Sequence, residues 1–526
     1  MRRIPAVLAL ALLGARASHA QSFPTDDPVL RRIWAIGMDS SQAYPLAQAL
    51  LDSIGPRLTG TPQQKAGVDW LVSKYKGWGV NARAEQYGTW RGWRRGIAHV
   101  DLVQPRLRTL EAAMLAWSPG TPRGMPVAAT TVIFPELGGA ELDAWLPQVR
   151  GKFVLMSLPP QSCRPDENWR QHGDTASVAS MRAQRIADTA RWNQRLRQAS
   201  GDSTTSFAMR TLAPKLEAAG ARGLITHLWS AGWGVDKIFN ARTNQVPTID
   251  LSCEDYGLVY RLTENRQNPV LRVQAQSENL GEVSVFNVIG EIRGTQKPDE
   301  YVMLSAHFDS WDASSGATDN GTGTITMLEA MRILRLVYPN PKRTILVGHW
   351  SGEEQGLVGS RSFAADHPEV VRGLQALFNQ DNGTGRVVNV SASGLIDATS
   401  NLAGWLARLP REISRNITFG FAGSPPGGGS DNASFACYGA PAFGLGALSW
   451  DYGTYTWHTN RDTFDKIVWD DLKNNVVLTA MLAYLASEDP ATVSRTRANI
   501  FSQSSGRPGE WPTCGTPPRR SSEWTR

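Results

Sequence analysis

The sequence predicts an α/β protein, a mostly parallel mixed sheet flanked by helices and interrupted by a β-rich inserted domain. Three observations carry that prediction. The 526 residues exceed what a single core organises, so about two to four domains are expected. From about residue 283 to 488, apolar strand-like runs alternate with helical periodicity, the pattern of a sheet covered on both faces. Between residues 98 and 284 the texture changes to short strand-like runs separated by polar helical sequence. A hydrophobic fraction of 41% with 19% charged residues excludes wholesale disorder.

Along the chain, Met1-Arg2-Arg3, an apolar stretch over 6–13 and Ser18-His19-Ala20 before Gln21 read as a cleaved secretory signal peptide, residues 1–20. That stretch falls well short of the ~20 residues that span a bilayer, and no later segment is long and apolar enough. A secreted or periplasmic protein without a membrane span is therefore expected. Net charge is +6, and loss of Arg2, Arg3 and Arg16 with the leader leaves +3, with no basic stripe that would engage nucleic acid.

Residues 21–97 open the main domain. They hold a largely helical stretch over 27–51, the turn-rich loop Gly55-Pro56-Arg57-Leu58-Thr59-Gly60, and a helix. In that helix Val68, Leu71, Val72, Tyr75 and Trp78 share one face, and Gly79 is placed to stop it. Residues 98–284 form the insert, with strand-like runs at 131–134, 152–155 and 223–226 and polar helical sequence over 177–198. Residues 285–500 return to the main domain. Strands are predicted at 301–304, 344–347, 374–378 and 441–445, and Ile325, Leu328, Met331 and Leu334 mark a helix between the first two. Residues 501–526, rich in Ser, Pro and Gly, have little to bury and are expected to be a disordered tail. Cys163, Cys253, Cys437 and Cys514 permit three pairings; Cys163 with Cys253 is the guess made here, and the sequence does not choose.

The chemistry gathers at the ends of the predicted strands. His307 follows the first directly, Glu353-Glu354 come just after the second, and Asp381 closes the third. Loops beyond the carboxyl ends of strands are where open α/β sheets build ligand sites. Zinc is well served by imidazole and carboxylate, and a two-metal site needs a carboxylate that bridges ions ~3.5–4 Å apart. Asp319, in Gly316-Ala317-Thr318-Asp319-Asn320-Gly321, is the candidate bridge. His307 and Asp381 would complete one metal, and Glu354 and His458 the other. Adjacent residues on an extended segment point to opposite sides, so Glu353 is free to act as general base while Glu354 binds metal. Asp309 is placed to hydrogen-bond the His307 imidazole and fix its tautomer.

The stretch His307-Phe308-Asp309-Ser310-Trp311-Asp312, the Asp319-Asn320-Gly321 loop, Ser351-Gly352-Glu353-Glu354-Gln355-Gly356, Gln380-Asp381 and Trp457-His458-Thr459 with Asp462 closely resemble the co-catalytic di-zinc exopeptidases. That family includes aminopeptidases and the carboxypeptidase Q-like (plasma glutamate carboxypeptidase) proteins. The resemblance implies the zinc exopeptidase fold, two Zn2+ per chain, and a metal-bridging hydroxide with Glu353 as base. It also implies short peptides with a free terminus as substrates and a homodimer. The insert is similar to a protease-associated domain at Leu216-Glu217-Ala218-Ala219-Gly220-Ala221-Arg222-Gly223 and Val246-Pro247-Thr248-Ile249-Asp250-Leu251-Ser252, although the polar stretch over 177–198 is longer than that domain calls for. Gly427-Gly428-Gly429-Ser430-Asp431-Asn432 resembles the family's loop near the substrate cleft. Gly429, Ser430, Asp431 and Tyr455 are accordingly the candidate substrate contacts, with Tyr452 beside them.

Two competing functions share these residues. A glutaminyl cyclase-like enzyme would use a single zinc, which retention of both His307 and Asp381 argues against. A receptor-like binding protein would have lost its ligands, and all five are present. His349, His367 and the Trp90-Arg91-Gly92-Trp93-Arg94-Arg95 patch are assigned packing or surface roles.

Overall fold

The computed structural model describes residues 25–420, 424–498 and 510–524. The signal-peptide expectation lies outside them. Helix α1 (Pro28–Asp39) starts where Asp27 accepts the Val29 and Leu30 N–H groups and Pro28 fits the first turn; it buries Leu30, Ile33, Trp34 and Gly37. Helix α2 (Pro62–Gly77) repeats the device, with Thr61 capping Gln64 N and Val68, Leu71 and Tyr75 buried.

Strand β1 (Asn81–Gln104) then runs into the segment expected as an insert, which holds β2 (Val127–Ile133), β3 (Phe153–Leu155), α3 (Thr175–Ser200), α4 (Thr205–Ala218), β4 (Gly223–Thr226), β5 (Thr248–Leu251) and α5 (Cys253–Glu264). Strand β6 (Val270–Ile292) leads back, antiparallel to β1 along most of its length. Residues 98 and 284 thus fall inside continuous strands. The predicted β-rich texture is mixed: β2 to β5 pair in parallel, and three helices of 26, 14 and 12 residues accompany them. Parallel pairing requires such crossovers.

The main domain continues with β7 (Lys297–His307), α6 (Thr322–Val337), β8 (Arg343–Trp350), α7 (Val358–Asp366), β9 (Leu374–Asn379), β10 (Val387–Ser391), β11 (Thr418–Gly420), β12 (Ala442–Ala447) and α8 (Trp469–Glu488). In the sheet β12, β9, β7 and β8 are consecutive neighbours and mutually parallel. Strands β8 and β9 are buried at every position, as a sheet covered on both faces demands. Ile325, Leu328, Met331 and Leu334 are fully buried on α6, which joins α1 and α8 in one core with the sheet.

Two disulfides form, Cys163 with Cys253 and Cys437 with Cys514. The second corrects the expectation of a disordered tail over residues 510–524. Cys514 is tied to the main domain, Thr89 donates to the Arg519 carbonyl, and the Arg519 guanidinium reaches Tyr87 O at 3.0 Å and Asp366 at 2.8 Å. Trp524 lies 5.7 Å from Trp90 and 5.8 Å from Trp117. A few large anchors hold a segment whose average composition conceals them. Trp90 and Trp93 are buried on β1, in line with a packing role.

Candidate metal centre

His307 is the last residue of β7. Its Nδ1 lies 3.1 Å from the Asp309 carbonyl, which leaves Nε2 facing inward, 3.3 Å from Asp381 and 3.5 Å from Asp319. Asp381 comes two residues beyond β9, the parallel neighbour of β7. The loop over 317–321 carries Asp319, and the Asp462 carboxylate holds it by accepting from Thr318 N at 2.8 Å and Asp319 N at 2.9 Å. The other Asp319 oxygen lies 3.3 Å from His458 Nε2, which is 2.8 Å from Glu354.

Donor atoms from His307, Asp319 and Asp381 form one cluster, and those from Asp319, Glu354 and His458 a second, each within 4.8 Å. Asp319 belongs to both. The structure therefore brings all five sequence-predicted ligands together in the predicted partition. His307 Nε2, Asp319 Oδ2 and Glu354 Oε1 are buried without a hydrogen-bond partner. Buried, unpaired polar groups are costly, and three of them aimed into one space fit cations held by imidazole and carboxylate.

Glu353 and Glu354 do divide, by a different local geometry from the one expected. They stand in a bend after β8, between Gly352 with φ +72° and Gly356 with φ +108°. A residue with Cβ at Gly352 would meet the Tyr87 hydroxyl at 2.9 Å as well as an unfavourable φ. The Glu354 side chain is 2% exposed and turned to His458; Glu353 is 12% exposed, with a carboxylate oxygen 4.0 Å from His307 Nε2. Burial pushes Glu353 well above the ordinary carboxylate range, against the pull of His307 and with Asp381 adding to the rise. Burial, then Asp319, raises Glu354 likewise, and burial depresses His458 to about 4. Bound divalent cations reverse this logic by favouring the charged carboxylates.

Asp309 acts differently from the expectation. Its carbonyl, not its carboxylate, takes the His307 N–H, with the carboxylate alongside at 3.5 Å. The carboxylate accepts from Glu353 N at 3.3 Å and Glu354 N at 3.4 Å, so it shapes the glutamate turn. It is a positioning residue for both metal clusters.

The candidate substrate contacts separate. Gly429 is exposed; Ser430 accepts from Asn379 Nδ2 at 2.9 Å, next to the strand that leads to Asp381. Asp431 is fully buried, which removes it from a peptide's reach, and burial raises its carboxyl to about 7. Tyr455 lines a cavity of about 520 Å³ together with Tyr452, Thr318 and Arg461. Of the two tyrosines, Tyr452 stabilises the Asp319 carboxylate.

Sequence reading assigned no function to Arg57. This fully buried guanidinium donates to Phe308 O at 2.6 Å, Gly55 O at 2.8 Å, Ser315 O at 2.7 Å and Gly316 O at 2.9 Å. It thereby fastens the segment between His307 and Asp319, beneath a ring of carboxylates. Burial lowers it to about 10, while Asp309, Asp462, Asp319 and Glu354 hold it up. The available signal was an arginine inside an otherwise apolar, turn-rich loop. The insert also reaches the centre: Ile238 N donates to the His458 carbonyl at 2.7 Å, and the Phe239 ring lies 5.2 Å from the His458 ring.

The sequence profile of peptidase family M28 matches residues 287–483, a segment containing His307, Asp319, Glu353, Glu354, Asp381 and His458. Through these residues that segment is similar to peptidase family M28. Carboxypeptidase Q of Bos taurus is 24% identical over 349 residues, and that of Homo sapiens 23% over 348; each match covers 66% of this chain and 66% of the relative. The chain thus spans just under two thirds of those relatives' length. Among solved structures, an M28 peptidase precursor from Shewanella amazonensis SB2B superposes with a TM-score of 0.65 at 24% identity, covering 89% of this chain and 97% of the other. BSAP, a zinc aminopeptidase from Bacillus subtilis, gives 0.54 at 18% identity, covering 86% and 96%. These likenesses show a shared fold, a mixed α/β sheet flanked by helices.

Proposed function

We propose that the protein is an exported di-zinc exopeptidase that hydrolyses short peptides with a free terminus. The observation that carries this reading is the pair of ligand clusters sharing Asp319, with the partly exposed Glu353 carboxylate beside them. His307 and Asp381 would hold one cation, Glu354 and His458 the other, and Asp319 both. When bound, two zinc ions supply Lewis acidity to the scissile carbonyl and lower the pKa of water.

The chain's own residues do the rest. Glu353 takes a proton from the attacking water and delivers it to the leaving amine. Asp309 and Asp462 hold the glutamate turn and the Asp319 loop through backbone N–H groups. The M28 profile match and the names of the relatives, carboxypeptidase Q and zinc aminopeptidase, support peptide hydrolysis. Two disulfides support an oxidising compartment, and among the described residues no helix is long and apolar enough to cross a membrane.

Substitution Glu353→Gln tests the assignment. Zinc content per chain should stay at the wild-type value while kcat falls by about 10²–10⁴-fold on a dipeptide panel. Hydrolysis at the wild-type rate refutes the role of Glu353.

A further inference from the structure

The two ligand clusters share Asp319 yet rest on different supports. His307 ends a strand paired in parallel on both sides, and Asp381 follows one of those neighbours. His458 lies between β12 and α8, where a single helical turn, Tyr452–Tyr455, precedes it. Its own φ is +54°, in the left-handed region that few residues other than glycine adopt.

Residues 230–238 hold this segment in place of a sheet. Ser230 Oγ donates to Thr454 O at 2.5 Å, and Lys237 Nζ to Gly453 O at 2.7 Å and Trp457 O at 2.6 Å. Ile238 N donates to the His458 carbonyl at 2.7 Å, and Lys237 and Thr459 form an antiparallel bridge. Asn460 closes the strap with three bonds of 3.0 Å: Asp236 N donates to its Oδ1, its own N donates to Asp236 O, and its Nδ2 donates to Gly234 O.

The imidazoles differ as well. His307 Nδ1 meets the Asp309 carbonyl at 3.1 Å, whereas His458 Nδ1 is buried without a hydrogen-bond partner. When Nε2 binds a cation, Nδ1 carries the hydrogen, and an acceptor there orients the ring and strengthens the ligand. At His458 packing alone orients the ring: Trp457 stacks on it at 3.9 Å, and Phe239 and Trp311 stand edge-on at 5.2 Å and 6.0 Å. Lys237 adds a positive charge felt at His458, while His307 faces Asp309, Asp319, Glu353 and Asp381.

We infer that the Glu354–His458 position is the weaker of the two cation sites, and that the strap over 230–238 sets its affinity through Asn460 as a positioning residue. The inference rests on the di-zinc reading and deepens it with an order: the His307–Asp381 position fills first and empties last.

Competition of the zinc-loaded protein with a chromogenic chelator tests this without reference to activity. Two zinc affinities should appear, about tenfold or more apart, the scale of a missing partner on a ligating histidine. His458→Ala should remove the weaker class, and Asp381→Ala the tighter one. Asn460→Ala, which cuts both side-chain bonds of the strap, should weaken the weaker class about fivefold and leave the tighter one unchanged. Ser230→Ala, a milder cut, should act in the same direction. Equal affinities, loss of the tighter class in His458→Ala, or both classes weakened alike by both strap variants overturns the inference and leaves the di-zinc reading intact. A single zinc per wild-type chain at saturation overturns both.

Discussion

The metal side and the insert side of the centre are built by different means. On the metal side, His307, Glu354 and Asp381 stand at or just beyond the carboxyl ends of β7, β8 and β9, and the first and last of these strands pair directly in parallel. Local caps then fix the ligands: Asp309 on the glutamate turn, Asp462 on the Asp319 loop, and Arg57 on the segment between. On the insert side, residues 237–239 approach from far away in sequence: Ile238 N donates to the His458 carbonyl, Phe239 meets the His458 ring, and Lys237 donates to Trp457 O. The comparison teaches that one side supplies the donor atoms of both clusters while the other packs against His458 and, among the described residues, adds none.

Substitutions on the two sides sharpen that contrast. The largest effect belongs to Glu353→Gln, which removes turnover and spares the metal. Next comes Arg57→Met, which leaves four carbonyls without their shared donor and withdraws a buried positive charge from beneath the ligands. Zinc affinity, read by competition with a chromogenic chelator, should drop at least about tenfold, with partial rescue by Arg57→Lys. Unchanged affinity would assign Arg57 to folding alone. The smallest effect is expected from Phe239→Ala on the insert side. It takes a ring from His458 and no donor atom, so zinc affinity should fall severalfold at most, with the stoichiometry at saturation unaltered. Loss of zinc at saturation in that variant would erase the contrast.

These differences track what was legible in the sequence. All five candidate ligands and the Glu353-Glu354 pair could be read because each lies in a short motif, and His307, Glu354 and Asp381 come at predictable strand ends. Asp309 was recognised, yet its carbonyl and carboxylate exchanged the expected roles, since a residue number cannot say which of its oxygens a histidine meets. Arg57 escaped because its importance comes from carbonyls more than 250 residues away. Asp431 was expected as a substrate contact because its glycine-rich segment resembles the family's loop near the substrate cleft, and packing buries its side chain instead. The packed tail was missed for a related reason: Cys514 and Trp524 each do the work of a longer apolar run.

The central claim is a pair of cations sharing Asp319. A crystal of the protein grown with zinc, with anomalous scattering recorded at the zinc edge, measures it directly. The account predicts two peaks per chain, one against His307 and Asp381 and one against Glu354 and His458, with Asp319 between them. A single peak, or none at these side chains, contradicts it.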